Sequence, residues 1–173
     1  ADFEVGGTLT PGNYVFDIAA DATQTEIACE WWFKKPAGVG AGIKSATVEM
    51  RPGRSMTVSG EAAVGTSPLS GEFTLSHDGK WRLEQARVKT DGFDVATAEQ
   101  CLRIPYTATG GRCTGGYYEF DRAEGHPKAN VIRVGGTFDE VALVAKDTQT
   151  PMRATGLQVD VVLDNTVKDA RTG

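Results

Sequence analysis

Apolar and polar residues alternate along most of this chain, and this pattern restricts the chain to β-structure. The alternation opens the sequence at residues 2–10 and is cleanest at residues 157–163. Successive side chains of a strand point to opposite faces of a sheet, so each alternating segment predicts a strand with one buried face. Similar short segments lie between these two.

Turn signals separate the alternating segments at short intervals. In Arg51-Pro52-Gly53-Arg54, proline and glycine stand where a type II turn needs them. His77-Asp78-Gly79 predicts a hairpin turn, and Asp91-Gly92 repeats this signal. Glycine is abundant, with 21 of 173 residues, and the glycine cluster at 109–116 is predicted to be a loop.

One segment, residues 94–103, favours a helix. Asp94 can cap it, and Val95, Ala98 and Leu102 fall on one face. About ten short strands and one short helix predict an all-β fold, an immunoglobulin-like β-sandwich. An α/β sheet would need helices of about 10 to 15 residues between its strands. We expect a single sandwich domain over residues 13–173, preceded by an N-terminal extension over residues 1–12.

Charge and hydropathy exclude two classes of partner. Lys and Arg number 18 and Asp and Glu number 23, which gives a net charge of −5 with the two signs interspersed. Because the chain has no basic stripe to neutralise a phosphate backbone, no nucleic-acid partner is predicted. The longest aliphatic run, Val141 to Ala145, is far shorter than the roughly 20 residues of a membrane span, so no membrane insertion is predicted.

The sequence carries no pattern typical of catalysis. His77 lies in a turn and His126 in a polar loop, and neither stands beside a nucleophile in a diagnostic motif. No catalytic residue and no cofactor are predicted, so we do not expect an enzyme. Acid pairs such as Asp139 with Glu140 could contribute to a calcium site. Solvated loop charges explain them better, and no metal site is predicted.

Three cysteines allow one disulfide. Cys101 and Cys113 are the easier pair to close, because a short glycine-rich segment, residues 107–111, separates them. The alternative is three reduced thiols, Cys29 included, in a protein made in a cytosol. The cysteine count leaves both alternatives open.

Three aromatic residues are candidates for an exposed contact. Trp32 lies between Glu30 and Lys34 on the polar side of its segment. Together with Tyr117 and Tyr118 it could form a platform on which a sugar ring stacks. Core packing is the simpler explanation for most aromatic residues here.

The start of the chain resembles a known family. The segment from Asp2 to Ile18, DFEVGGTLTPGNYVFDI, is similar to the opening of bacterial chaperone–usher pilins. In that family each subunit is an immunoglobulin-like sandwich that lacks one strand, and the N-terminal extension of the next subunit fills the gap. The resemblance implies that Phe3, Val5, Gly7 and Leu9 form a donor strand. The family's early cysteine is absent, since Asn13 and Tyr14 stand in that region.

The leading prediction is therefore a structural subunit of an extracellular filament, a homopolymer of the fimbrial type with an assembly chaperone as a possible further partner. A second hypothesis is a virion structural protein, such as a phage tail or capsid component, made in a cytosol with reduced thiols. A third is a secreted monomeric module that binds a carbohydrate or another ligand through Trp32, Tyr117 and Tyr118.

Overall fold

The computed structural model describes residues 2–29, 33–101, 105–123 and 129–166. It confirms an all-β, sandwich-like fold with one short helix. In chain order the elements are β1 (Asp2–Thr10), β2 (Asn13–Asp21), β3 (Ile27–Cys29), β4 (Phe33–Lys35), β5 (Ala41–Arg51), β6 (Ser55–Val64), β7 (Ser67–His77), β8 (Trp81–Asp94), α1 (Val95–Cys101), β9 (Tyr106–Arg122), β10 (Asn130–Ala145), β11 (Pro151–Ala154) and β12 (Leu157–Asp164).

One large antiparallel sheet contains ten of the strands. Its order is β1-β2-β5-β6-β7-β8-β9-β10-β11. Strand β12 also pairs with β10: it lies along residues 131–138 of that strand, whereas β11 lies along residues 141–144. The strands β3 and β4 form a separate hairpin between β2 and β5. The sheet therefore has β1 at one edge and β11 with β12 at the other. Within the described residues these two edges are not joined to each other.

The strand register places the apolar residues of successive strands on one face. Residues directly opposite each other in an antiparallel pair share a face. One row across the whole sheet consists of Gly7, Phe16, Val48, Val58, Phe73, Ala86, Phe120, Ile132 and Leu163. The sheet thus has one apolar face that runs from edge to edge and one polar face.

The most deeply buried apolar side chains cluster around β8, β9, β10 and α1. The buried set consists of Ala86, Cys101, Ala108, Cys113, Phe120, Ala129 and Val141. Phe93 and Phe138 pack edge to face, with 6.3 Å between their ring centroids. The best-packed core thus lies towards one side of the sheet, away from β1.

Several local predictions are confirmed. The amide of Arg54 donates to the carbonyl of Arg51 over 3.0 Å, and Gly53 has a φ of 68°, as a type II turn requires. Strand β7 ends at His77 and β8 begins at Trp81, so the predicted hairpin forms. The helix begins after Asp94, whose Oδ1 accepts a hydrogen bond from the amide of Thr97 over 2.9 Å. Residues 102 and 103 of the predicted helix lie outside the described residues.

One predicted turn and one predicted loop are wrong, because both segments continue as strand. Asp91-Gly92 lies inside β8, and the cluster at 109–116 lies inside β9. The strands β8, β9 and β10 span 14, 17 and 16 residues, so they are longer than the short strands expected. The glycines here make room for a neighbouring strand: a Cβ on Gly111 would lie 2.6 Å from the Cα of Val141.

Candidate assembly surface

The N-terminal segment forms an edge strand of the sheet. β1 pairs with β2 along its whole length, from Asp2 opposite Asp21 to Thr10 opposite Asn13. The turn between the strands contains Gly12 with a φ of 83°, and Thr10 Oγ1 donates to the carbonyl of Asn13 over 2.9 Å. The expectation that residues 1–12 form an extension separate from the domain is thus corrected. Strand β1 completes a hairpin with its own chain.

The large apolar side chains of β1 remain exposed in spite of this pairing. Phe3 is 68% exposed, Val5 64% and Leu9 67%. They lie on the apolar face of the sheet, opposite Ala20, Ile18 and Tyr14. Soluble monomers rarely leave a contiguous row of large apolar side chains in water, and such rows usually mark a contact surface.

Gly7 is the remaining residue of the predicted donor strand, and its backbone lies close to β2 of its own hairpin. A Cβ at this position would lie 2.5 Å from the carbonyl oxygen of Val15 and 3.0 Å from Cδ1 of Phe16. The ring of Phe16 therefore occupies the space that a side chain at position 7 would need. Gly7 fixes the packing of β1 on β2, and it leaves Phe3, Val5 and Leu9 as the exposed apolar side chains.

The opposite edge of the sheet carries a second exposed apolar row. Leu157, Val161 and Leu163 of β12 are 46%, 44% and 53% exposed, on the same face as the row of β1. The alternation at 157–163 predicted this strand but no role for it in assembly. The signal in the sequence was the alternation itself, which gives β12 an apolar row like that of β1.

Polar contacts hold β12 in place along β10. Tyr117 of β9 donates its hydroxyl to Asp160 Oδ1 over 2.8 Å, and this bond raises the pKa of the tyrosine. Asp164 Oδ1 accepts the hydroxyl of Thr166 and also its amide, over 2.8 Å, and these bonds lower the pKa of Asp164. The amide of Asn165 donates to the carbonyl of Asn130 over 2.9 Å. The strand is thus fixed along β10, and no other strand pairs with it among the described residues.

The total surface of the chain is large for its mass. The chain exposes 11214 Å², whereas a folded monomer of 18.4 kDa exposes about 8,200 Å². The chain thus exposes more surface than a compact monomer of the same mass.

The two cysteines that were candidates for a disulfide are unbonded in the structure. Cys101 and Cys113 are both unbonded and buried, and burial raises the pKa of each thiol. The segment 107–111, expected to be a short loop, is extended strand in β9 and carries Cys113 into the sheet opposite Phe138. Of the two alternatives, the structure thus has Cys101 and Cys113 as unbonded thiols.

The candidate aromatic platform is not assembled by the described residues. Tyr117 and Tyr118 are adjacent in β9, so their side chains point to opposite faces of the sheet. Tyr118 lies opposite Val134 on the apolar face, while Tyr117 reaches Asp160 on the polar face. Trp32 and His126 lie outside the described residues.

A buried lysine, which sequence reasoning missed, organises the loop before β5. Lys35 is 1% exposed, and its ammonium donates to the carbonyls of Thr23, Thr25 and Pro36 over 3.3, 2.7 and 3.0 Å. Three carbonyl acceptors satisfy the three donors of an ammonium group. Lys35 therefore has a structural role, and nothing in the local sequence pattern distinguishes it from Lys34.

In the part of the chain that the structure describes, no three His, Cys, Asp or Glu side chains lie close enough together to hold a metal ion. No helix among the described residues has the length and hydropathy of a membrane span. Comparison with protein-family models, curated proteins and solved structures gives no match.

Proposed function

We propose that this protein is a structural subunit that assembles with copies of itself through the open edges of its sheet. The observation that carries this proposal is β1, an edge strand whose outer side has no partner among the described residues and whose Phe3, Val5 and Leu9 are about two-thirds exposed. An open edge of this kind is a template for a strand from another chain.

The shape of the sheet supports assembly into a polymer. A subunit with one binding edge forms only dimers. This sheet presents exposed apolar residues at both of its edges. Contacts at two different edges propagate from copy to copy and produce an open chain of subunits. A filament is therefore the product that this arrangement favours, and an extracellular filament of the fimbrial type is one setting for it.

A virion structural protein is the second candidate, and one observation favours it. Cys101 and Cys113 lie unbonded in the core, as is usual for proteins that fold in a reducing cytosol. Mass spectrometry of the assembly after denaturation and alkylation without any reducing agent would distinguish the two settings. All three thiols blocked would favour the virion protein, and a disulfide would favour the exported filament.

The self-assembly itself is tested by adding charge to β1. In the variant Val5→Lys/Leu9→Lys, two ammonium groups stand on the apolar side of the edge, where strand addition would bury them. We expect the wild-type chain to form polymers in electron micrographs and in sedimentation velocity, and we expect this variant to remain monomeric.

The variant Ser59→Lys/Thr66→Lys is the matched control. It adds the same charge at exposed positions of β6 and of the turn that follows it, away from both edges. We expect it to polymerise like the wild type. A wild-type chain that stays monomeric at high concentration, or a β1 variant that polymerises normally, would contradict the proposed function.

A further inference from the structure

We propose that the partner of β1 is β12 of a second copy, paired in parallel, with residues 3–10 of β1 beside residues 157–164 of β12. This inference rests on the proposed function and specifies its interface. Each copy then uses one edge as donor and the other as acceptor, so a single type of contact builds the whole polymer.

The direction of the strands follows from the sheet order. Every neighbouring pair from β1 to β12 is antiparallel, and β12 lies eight pairings away from β1 along this path. After an even number of reversals the two edge strands point the same way. When a second copy continues the sheet with its apolar face on the same side, its β1 must therefore run parallel to β12.

The register follows from the apolar rows. A slip of one residue would turn every apolar side chain of one strand to the polar face, so only even slips are allowed. With residues 3–10 beside 157–164, all eight residues of β12 find a partner. The apolar neighbours are then Phe3 with Leu157, Val5 with Val159, Gly7 with Val161 and Leu9 with Leu163.

The polar face fits the same register. β1 and β12 contain acids and no base, so a seam between them is stable only if acids do not face acids. In the proposed register Glu4 lies beside Gln158, and Asp160 lies beside Gly6. A slip of two residues in one direction places Glu4 beside Asp160. A slip of two in the other direction leaves Phe3 and Leu163 without apolar neighbours.

The space needed for this contact is present in the structure. A Cβ on Gly6 would have no atom within 4 Å, so no described residue stands over Gly6 on the polar face. On the apolar face the ring of Phe16 covers the position of Gly7. In the proposed register the side chain of Val161, which is 44% exposed in the single chain, packs beside this ring.

Cysteine crosslinking tests the pairing and its register. Thr8 and Val162 are neighbours in the proposed interface, and both are exposed in the single chain. In the double variant Thr8→Cys/Val162→Cys, adjacent strands bring the two thiols within disulfide distance. Under mild oxidation we expect a ladder of covalent oligomers on a non-reducing gel, and the wild-type chain controls for the native thiols.

Two further variants make the test specific. The variant Thr8→Cys/Gln158→Cys moves the second thiol four residues along β12, by about 13 Å, and should not crosslink. The single variant Thr8→Cys should also not crosslink. A Thr8→Cys dimer would overturn the inference in favour of β1 pairing with β1, and an intrachain bond in the double variant would show a sheet closed on itself.

The inference and the proposed function fail in different ways. If the double variant forms polymers but no ladder, the interface proposed here is wrong and self-assembly stands. If neither the wild type nor the double variant polymerises, the proposed function itself is wrong.

Discussion

Gly6 and Gly7 are adjacent in β1, but the structure places different demands on them. Gly7 lies under the ring of Phe16, where a Cβ would meet both that ring and the carbonyl of Val15. Gly6 faces open space on the other side of the sheet. The dipeptide therefore contains one glycine that the hairpin requires and one that it does not.

Alanine substitutions should separate these two roles. We expect Gly7→Ala to lower the free energy of unfolding by about 1 to 3 kcal/mol, because the added methyl forces the strands apart. Gly6→Ala should be neutral or stabilising by up to about 1 kcal/mol, since it mainly reduces the freedom of the unfolded chain. Urea denaturation in the Val5→Lys/Leu9→Lys background measures both without interference from assembly. Equal effects of the two substitutions would contradict the packing described for Phe16.

The environments of some single residues could not be predicted from the sequence. Lys35 and Lys34 are neighbours of the same type, and only the fold buries one of them against three carbonyls. Cys101 and Cys113 are close in sequence, but the strand between them extends instead of looping back. In both cases long-range packing decides the environment, and sequence spacing does not report it.

At the scale of elements, local signals predicted those features that depend on local chemistry. The turn at Pro52-Gly53, the hairpin after His77 and the cap at Asp94 all form as expected, because each needs only a few adjacent residues. The length of β8 and β9 was not predictable in this way. Pairing with both neighbours extends these strands through glycines that alone favour turns.

An ion-pair network ties three of the long strands together on the polar face. Asp121 of β9 accepts from Arg87 of β8 over 2.6 Å and from Arg133 of β10 over 3.4 Å. The hydrogen bond and charge of Arg87 lower the pKa of Asp121. A lowered folded-state pKa means that the stabilisation is complete above the ordinary carboxyl value of about 3.9 and is lost as the pH falls below it.

The variant Asp121→Asn should show this pH dependence. At pH 7 we expect it to be less stable than the wild type by about 1 kcal/mol, the upper end of the range for a partly exposed pair. The difference should shrink as the pH falls through 4 towards 2, because the wild-type carboxylate is then protonated as well. Thermal melts across this pH range measure it. Asp78→Asn, in the exposed turn after β7, is the control, and a difference that grows towards low pH would reverse the assignment.

At the scale of the whole molecule, the open sheet is the feature that most distinguishes this chain from a self-contained domain. The alternating pattern predicted strands at both ends of the sequence, and both strands form. It could not predict that they lie at opposite edges of one sheet, because that depends on the order of all the strands between them. The resemblance to pilins pointed to β1 as a contact strand, and the structure shows a second exposed apolar row on β12 at the other edge.

If β1 and β12 are complementary halves of one contact, two blocked variants should rescue each other. Val5→Lys/Leu9→Lys blocks β1 and leaves β12 intact, whereas Val161→Lys/Leu163→Lys blocks β12 and leaves β1 intact. Each variant alone should be monomeric, because its single good edge finds only blocked partners. An equimolar mixture should contain dimers of one copy of each and nothing larger.

Light scattering coupled to size-exclusion chromatography measures the masses of the separate and the mixed variants. If each edge paired with its own kind, the β1-blocked variant would dimerise by itself through β12, and mixing would add no new species. If the polymer depended on some other surface, both variants would still form long assemblies. Dimers that appear only on mixing are expected solely when one edge donates the strand that the other edge accepts, because only then does each blocked variant supply the strand that the other lacks.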